Sequence, residues 1–218
     1  MSTDSSTLLV IAHPDDEILF FGPLLLKHVG SLHILCLSTG SLGSSGHSST
    51  IGEKRTAELS SSLASLGYSS SDFSIIDDYR IRDGNTWNTN IIKSYVQKAL
   101  LKTGAKRLVT FDKKGVSGHH NHKSLFTACS ELKREKPELN FEVLVSSFFP
   151  LRFLWYVGAI LVFILSFFFQ TGVYWNSISE VRQLFSAFRH YESQHRWYRS
   201  LYTFFSIHFI VNIFVNPL

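Results

Sequence analysis

The sequence contains only two cysteines, Cys36 and Cys129, and both lie inside apolar runs. They are far apart in the chain and have the character of small core residues. Two such residues do not make the cysteine-rich framework that holds small secreted domains together. The cysteine usage therefore excludes a disulfide scaffold and suits a reducing compartment.

Charged residues are also scarce, because they make up 17% of the chain whereas hydrophobic residues make up 44%. The formal net charge of +4 is small, and basic residues are interspersed with acidic ones except near the C-terminus. This excludes a pronounced nucleic-acid-binding surface and is consistent with a weak preference for anionic lipid headgroups. The N-terminus lacks the basic region of a signal peptide, so we expect its first residues to belong to the mature fold.

Short β-branched runs alternate with longer helical ones from residue 7 to about residue 147. The pattern predicts strands at residues 7–12, 32–38, 73–77, 106–112 and 140–148, with helices between them. Such alternation predicts an α/β domain over residues 1–149, with a Rossmann-like, mainly parallel sheet covered by helices on both faces. In sheets of this kind, ligands bind at the C-terminal ends of the strands.

The composition changes after this domain. Residues 153–179 contain no charged side chain, and this run exceeds the ~20 residues needed to cross a bilayer core. Aromatic residues lie near both of its ends, as in membrane-interface belts. We therefore expect residues 150–178 to form a transmembrane or interfacial segment, with a buried core helix as the alternative. Residues 179–218 predict an amphipathic helical region that packs on the α/β domain or on the membrane.

Two polar clusters follow strands of the predicted sheet. The first consists of His13, Asp15, Asp16 and Glu17 after the first strand, and the second is GVSGHHNH at residues 115–122 after the fourth. The C-terminal ends of parallel strands lie on one edge of a sheet. The two clusters can therefore face each other across one cleft.

The residue types in these clusters suit a catalytic metal site. Zinc in such sites usually has three protein ligands, drawn from His nitrogens and carboxylate oxygens, and an open position. His13 and Asp16 can converge on one ion, and a histidine from residues 119–122 would complete the set. A carboxylate that does not bind the metal can act as general base toward a metal-activated water. The alternatives are a helix cap for Asp15 or Asp16 and a solvated polar loop for the histidines.

Several motifs carry a resemblance to a known family. AHPDDE after an N-terminal strand, followed about a hundred residues later by GVSGHHNH, resembles the LmbE-like zinc deacetylase superfamily. Within it, the chain is similar to the N-acetylglucosaminyl-phosphatidylinositol de-N-acetylases of GPI-anchor synthesis. GEKRTAELSSSLASLG, IDDYRIRDGNTW and RHYESQHRWYRSLYTFFS resemble further segments of these enzymes.

The resemblance implies a metal centre and a division of roles around it. Zn²⁺, or another divalent metal, would be held by His13, Asp16 and His122. Asp15 would be the general base. His119 would stabilise the oxyanion or protonate the leaving amine.

Other residues are expected at the edge of this centre. Arg55 could clasp the substrate phosphate or inositol, or instead form an intrahelical pair with Glu58. His190 is expected to contact substrate, on the resemblance alone. His120 is assigned no role, and His47 is expected to be solvated.

The implied reaction is removal of the acetyl group from N-acetylglucosaminyl-phosphatidylinositol, the second step of GPI-anchor biosynthesis. The resemblance implies an enzyme of the endoplasmic reticulum membrane with its catalytic domain facing the cytoplasm, a glycolipid substrate and no nucleic-acid partner. One alternative is a deacetylase of another N-acetylglucosamine conjugate. A second is a non-catalytic membrane adaptor that retains the fold.

Overall fold

The computed structural model describes residues 6–43, 46–84, 86–146, 154–167, 170–194, 203 and 205–217. Its main sheet has seven strands, which are β1 (Thr7–Ile11), β2 (Leu32–Cys36), β5 (Phe73–Ile75), β6 (Arg107–Phe111), β7 (Asn140–Leu144), β8 (Gln170–Trp175) and β9 (Val211–Val215). Two short strands, β3 (Leu42–Gly43) and β4 (Gly46–His47), form a separate antiparallel pair.

The strands of the main sheet are arranged in the order β5-β2-β1-β6-β7-β9-β8. The first five are mutually parallel, whereas β9 runs antiparallel to both β7 and β8. All five residues of β1 are buried, as expected for a central strand with neighbours on both sides. The predicted α/β class and its parallel core are therefore confirmed, and each of the five predicted strands is present.

Eight helices connect or flank the strands in the described part of the chain: α1 (Asp16–Phe20), α2 (Gly22–Lys27), α3 (Ser49–Ser65), α4 (Thr89–Thr103), α5 (Gly115–Gly118), α6 (His120–Glu135), α7 (Trp155–Ser166) and α8 (Ile178–Phe188). Local sequence explains their limits. The Asn88 side chain accepts a hydrogen bond from the backbone N–H of Asn90 at the start of α4, and Gly104 ends that helix at a φ of 65°. Helix α6 buries one apolar stripe at helical spacing, formed by Leu125, Ala128, Cys129 and Leu132.

The first helical segment differs from its sequence pattern. The run after the HPDDE motif predicts one helix, but the structure has α1 and α2 with a break at Phe21. Pro23 lies in the first turn of α2, where its missing N–H costs no helical hydrogen bond. The prediction of a single helix is wrong because proline is favoured in a first turn and disfavoured in a helix interior.

The charge-free segment contains two kinds of secondary structure. Its first part is α7, with 12 residues, and a helix of that size is ~18 Å long, short of the ~30 Å bilayer core. Its second part is β8, which pairs with β9. Among the described residues, none belongs to a helix with the length and apolar character that a bilayer crossing requires. The transmembrane expectation for residues 150–178 is not confirmed.

The C-terminal region is only partly helical. Helix α8 begins with a capping box in which Ser177 and Glu180 exchange side-chain to backbone hydrogen bonds. The helical prediction is wrong for residues 211–215, because β9 is inserted between β7 and β8. The main sheet thus continues across the boundary that the sequence pattern places at residue 149. Residues 195–202 lie outside the part of the chain that the structure describes.

Candidate active site

The turn after β1 is organised by Asp16. Its Oδ2 accepts hydrogen bonds from the backbone N–H groups of Ala12 and His13, at 3.0 and 2.9 Å. This bonding partly matches the alternative in which Asp16 is a helix cap, because its carboxylate accepts hydrogen bonds from backbone N–H groups of the turn. Asp15, at the N-cap position of α1, makes no side-chain cap hydrogen bond and has a φ of 105°. The turn therefore holds Asp16 inward and places Asp15 in a left-handed conformation that is unusual for a residue other than glycine.

The second cluster follows β6, the neighbour of β1. The Nδ1 atom of His122 lies 3.0 Å from the carbonyl oxygen of Gly115, and its ring stacks on Phe111, with centroids 3.9 Å apart and planes 1° apart. Gly115 has a φ of 67°, and a Cβ there would lie 2.9 Å from the Cβ of His122. Glycine at this position thus allows the loop to pack directly against the imidazole.

The two clusters meet, as the sequence predicts. Ring nitrogens of His13, His119 and His122 lie within 4.8 Å of one another. Asp16 is part of the same group, with its Oδ1 3.2 Å from the Nε2 of His122 and its Oδ2 3.5 Å from the Nδ1 of His13. The Nε2 of His122 is buried and has no hydrogen-bond partner, so its 3.2 Å contact with Asp16 lacks hydrogen-bond geometry. An imidazole nitrogen without a hydrogen-bond partner beside a carboxylate is an arrangement that fits a divalent cation.

Two donor sets can be drawn from this group. Both contain His13 and His122, and they differ in whether Asp16 or His119 is the third ligand. The backbone N–H of Asn121 points at the Nδ1 of His119, 3.3 Å away. If Nδ1 accepts this hydrogen bond, the proton of a neutral ring is on Nε2, and no lone pair is left for a metal. This tautomer favours Asp16 as the third ligand, which is also the set that the family resemblance implies, and the ligand set stays a prediction.

The electrostatics of the site favour positive charge at its centre. Burial acts to lower the pKa of His13, but Asp16 and Asp83 outweigh it and raise that pKa to about 10. Burial acts to raise the pKa of Asp16, but the neighbouring His122 and His13 hold it well below its usual range. Burial and the nearby His13 and His122 lower the pKa of His119 to about 4. The carboxylates thus stabilise a cation here, while His119 is kept neutral.

Arg55 of α3 reaches the same turn. Its Nη2 donates to the carbonyl oxygen of Pro14 at 2.7 Å, and its Nη1 donates to that of Gly40 at 2.9 Å. Its Nη2 also lies 3.6 Å from the Oδ2 of Asp15. The carboxylate of Glu58 accepts hydrogen bonds from Ser193, so the intrahelical alternative for Arg55 gains no support. The role of Arg55 in substrate binding stays a prediction.

Sequence reasoning missed several residues of the site. Asp83, in the loop that follows β5, lies with its Oδ1 3.1 Å from the Nε2 of His13 and accepts a hydrogen bond from Ser38. The Nδ2 of Asn121 lies 3.1 Å from the same nitrogen of His13. The ring centroids of Trp87 and His13 are 6.0 Å apart. Asp83 could have been found, because it lies in a polar loop after a parallel strand on the edge where ligands bind.

One cavity of about 330 Å³ brings most of the predicted site residues together. Its lining comprises His13, Asp15, Asp16, Leu19, Phe20, Arg55, Asp83, Ser117, His119 and His122. A neighbouring cavity of about 290 Å³ shares Asp83 and His119 and includes His120. His190 is exposed and lines neither cavity, so the structure does not bring it to the site. The His47 side chain lies outside those described.

Known proteins resemble this chain over the region that contains the site. The family model described as PIG-L: GlcNAc-PI de-N-acetylase matches residues 8–133. An N-acetylglucosaminyl-phosphatidylinositol de-N-acetylase of Bos taurus is 37% identical over 138 residues, 60% of this chain and 51% of the relative. A probable enzyme of the same name from Schizosaccharomyces pombe is 30% identical over 147 residues, 65% of this chain and 57% of the relative.

The fold is also that of solved deacetylases. The N,N'-diacetylchitobiose deacetylase from Pyrococcus horikoshii superimposes with a TM-score of 0.63 at 15% identity, covering 91% of this chain and 76% of that one. The chain spans about half the length of the curated relatives it matches. The family model covers more than half of this chain, including both polar clusters of the site. The chain therefore belongs to the PIG-L family, the GlcNAc-PI de-N-acetylases.

Proposed function

We propose that this protein is a metal-dependent amide hydrolase that removes the acetyl group of N-acetylglucosaminyl-phosphatidylinositol, releasing acetate and glucosaminyl-phosphatidylinositol. The observation that carries the proposal is the convergence of Asp15, His119 and the His13, Asp16 and His122 group on one cavity. The family match supports the same chemistry. The specific reaction corresponds to the second step of GPI-anchor biosynthesis.

The donor set suits Zn²⁺, or another divalent ion that accepts His and Asp ligands. His13, Asp16 and His122 would hold the ion. This is supported by the buried Nε2 of His122, which lies beside Asp16 and has no hydrogen-bond partner. When bound, the ion would act as a Lewis acid toward the acetyl carbonyl and lower the pKa of a water molecule toward ~7.

Asp15 and His119 would carry the proton transfers and the charge stabilisation. The Asp15 carboxylate lines the cavity beside the metal ligands, so it can accept the proton of the attacking water and pass it to the departing amine. A neutral His119 with its proton on Nε2 can donate a hydrogen bond to the oxyanion. The Nη2 of Arg55, 3.6 Å from the Oδ2 of Asp15, would help to hold that carboxylate in place by charge attraction.

A lipid-linked substrate gives a reason for the apolar surface of α7. Ala159 and Val162 pack into the protein, whereas another face of α7 exposes apolar side chains at helical spacing, namely Val157, Ile160, Leu161, Ile164 and Leu165, each between 39 and 70% exposed. An exposed apolar helix face of this kind suits insertion into the interfacial layer of a membrane. We propose that this face docks on the bilayer that carries the substrate.

The substrate class also suggests where the protein acts. We propose the endoplasmic reticulum membrane, with the active site on the cytoplasmic side. The two free, buried cysteines are compatible with that reducing side. A glycosylation-site insertion and protease-protection assay would test this orientation, since luminal modification next to β6 would contradict it.

The deciding experiment uses the purified protein and two substrates, N-acetylglucosaminyl-phosphatidylinositol in vesicles and a water-soluble N-acetylglucosamine conjugate. Turnover of the glycolipid should disappear after chelation and return with Zn²⁺. Asp15→Asn should lower kcat by about 10²–10⁴-fold and retain the metal. Metal loss in that variant would make Asp15 a ligand, whereas preference for the soluble conjugate would replace the proposed substrate.

The proposed membrane face has its own test. Leu165→Asp should abolish co-sedimentation with phosphatidylinositol-containing vesicles, because it places a charge on the exposed apolar face, while activity on a soluble, short-chain substrate is retained. Leu101→Asp is the matched control, because Leu101 is a similarly exposed leucine, at 78%, on a different helix. Unchanged vesicle binding by Leu165→Asp would contradict docking through α7.

A further inference from the structure

The turn that follows α8 contacts two carboxylates near the active site. Tyr191 is fully buried, and its hydroxyl donates a hydrogen bond to the Oε1 of Glu17 in α1. Ser193 donates through its backbone N–H and its hydroxyl to Glu58 in α3, at 2.7 and 2.5 Å. The C-terminal part of the chain is therefore hydrogen-bonded to α1 and α3, two of the helices that bring residues to the cavity.

Glu17 links Tyr191 to the catalytic turn. While Oε1 of Glu17 accepts from Tyr191, its Oε2 accepts from the backbone N–H of Asp15 at 3.1 Å. The side chain of Glu17 is fully buried, so these two donors compensate for its loss of water. A continuous series of hydrogen bonds thus runs from Tyr191 to the peptide of Asp15.

The conformation of Asp15 makes this link consequential. A left-handed backbone is unfavourable for a residue that has a Cβ, and Asp15 has a φ of 105°. Such a conformation persists only where the surroundings enforce it. The hydrogen bond from Asp15 N–H to Glu17 is one of these constraints. A second is the hydrogen bond that the Asp15 carbonyl accepts from the N–H of Leu19 at 3.0 Å.

We propose that Tyr191 is a positioning residue for catalysis, which acts through Glu17 to hold Asp15 in the left-handed conformation that directs its carboxylate into the cavity. Tyr191 itself does not line the cavity. The kinetic part of this inference rests on the proposed function. The turn after α8 thus acts on the catalytic site through Tyr191, although His190 does not line the cavity.

A second buried tyrosine provides a matched control. Tyr68 is 4% exposed, and its hydroxyl donates to the carbonyl oxygen of Leu25 at 2.7 Å. Tyr68→Phe and Tyr191→Phe each remove one buried hydroxyl and its hydrogen bond, but only the second removes a bond in the series that ends at Asp15. A purely structural role for Tyr191 would therefore make the two variants alike.

The test compares steady-state kinetics and metal content of the full chain. Tyr191→Phe should lower kcat about tenfold, because a small displacement of a catalytic group has a large kinetic effect, with KM within about twofold and metal stoichiometry unchanged. Tyr68→Phe should keep kcat within about twofold. A kcat for Tyr191→Phe within about twofold of the wild type, or an equal fall in both variants, would overturn the proposal.

Glu17 supplies a rescue experiment. In Glu17→Gln the amide oxygen can still accept from Asp15, and the amide N–H can donate to the Tyr191 oxygen, so more of kcat should survive than in Glu17→Ala. This advantage should shrink when Tyr191→Phe is added. Equal activity of the Gln and Ala variants would contradict positioning through this bond.

A structural measurement separates this inference from the proposed reaction. Should the wild type fail to deacetylate any N-acetylglucosamine substrate, the proposed function is refuted, and crystal structures of wild type and Tyr191→Phe decide the positioning. The expected result is that Asp15 leaves its positive φ or that its carboxylate moves away from the cavity. An unchanged Asp15 would overturn the inference.

Discussion

Substitution of Gly40 by alanine would act on the catalytic turn through Arg55. Gly40 has a φ of 65°, and a Cβ built there would lie 2.3 Å from Nη1 and 2.4 Å from Cζ of Arg55. Gly104 has the same φ, but no heavy atom lies within 4 Å of its Cβ position. The pair of variants Gly40→Ala and Gly104→Ala therefore shares the backbone strain and differs in the collision with a buried guanidinium.

The expected magnitudes follow from these contacts. Alanine in the left-handed region costs ~1–2 kcal/mol, partly offset by ~0.4–1 kcal/mol from reduced freedom of the unfolded chain, so Gly104→Ala should destabilise by about 1 kcal/mol. Moving Arg55 would also break its hydrogen bonds to the carbonyls of Pro14 and Gly40, each worth ~1.5–3 kcal/mol for a charged donor. Gly40→Ala should thus destabilise by about 4–7 kcal/mol.

The assay is urea unfolding of the metal-loaded protein. The difference between the two variants should be about 3–6 kcal/mol, and a difference below ~1 kcal/mol would refute the reasoning that Arg55 is fixed by this contact. If Gly40→Ala does not fold, the double variant with Arg55→Ala decides. Removal of the guanidinium removes the collision, so Gly40→Ala should add no more than the backbone strain to Arg55→Ala.

Two further predictions concern metal binding and pH. Gly115→Ala should weaken Zn²⁺ binding about 10–100-fold, measured in competition with a chelator, because the new Cβ would displace His122. Gly30→Ala has free space around its Cβ and should change the affinity less than about twofold. Equal Zn²⁺ affinities of the two variants would contradict the packing of Gly115 against His122. The hydrogen bond from Lys27 lowers the pKa of Glu180 from 4.5 to about 2. Because this pKa is depressed in the folded state, the stabilisation is complete above pH 4.5 and is lost as pH falls toward 2. Glu180→Gln should therefore lower the free energy of unfolding above pH 4.5 and have less effect as the pH falls toward 2. Unfolding experiments across this pH range check this, and a destabilisation that does not change with pH would contradict it.

The parallel half of the fold could be predicted because its signals are local. β1 and β6 are apolar runs that end in polar residues, and each parallel strand is separated from the next by a helical segment. The antiparallel half could not be predicted in the same way. β8 and β9 each include aliphatic and aromatic residues of the kind found in a membrane segment, and their pairing with each other identifies them as strands. That pairing joins residues far apart in the chain, which periodicity does not reveal.

The candidate site shows the same division. His13, Asp15, Asp16, His119 and His122 could be predicted from the two motifs, because each motif follows a parallel strand and parallel strands end at one edge. Tyr191 was missed because its contact with Glu17 arises only from tertiary packing, whereas the place of Asp83 in a polar loop after a parallel strand could have indicated it. The expectation for His190 rests on the family resemblance alone, which does not point to its neighbour Tyr191. The structure exposes the histidine and buries the tyrosine.

The order of the strands also affects how the main sheet is assembled during synthesis. β7 acquires its outer neighbour only when β9 has been made, although β8 is translated earlier. Until then β7 is an open edge capable of pairing with other chains, and at ordinary elongation rates this interval lasts on the order of seconds. β8 and the apolar helix α7 likewise have no docking strand during that time. A ribosome-bound chain would therefore present the unpaired edge of β7 and the apolar helix α7 to chaperones or to a nearby bilayer until β9 is in place.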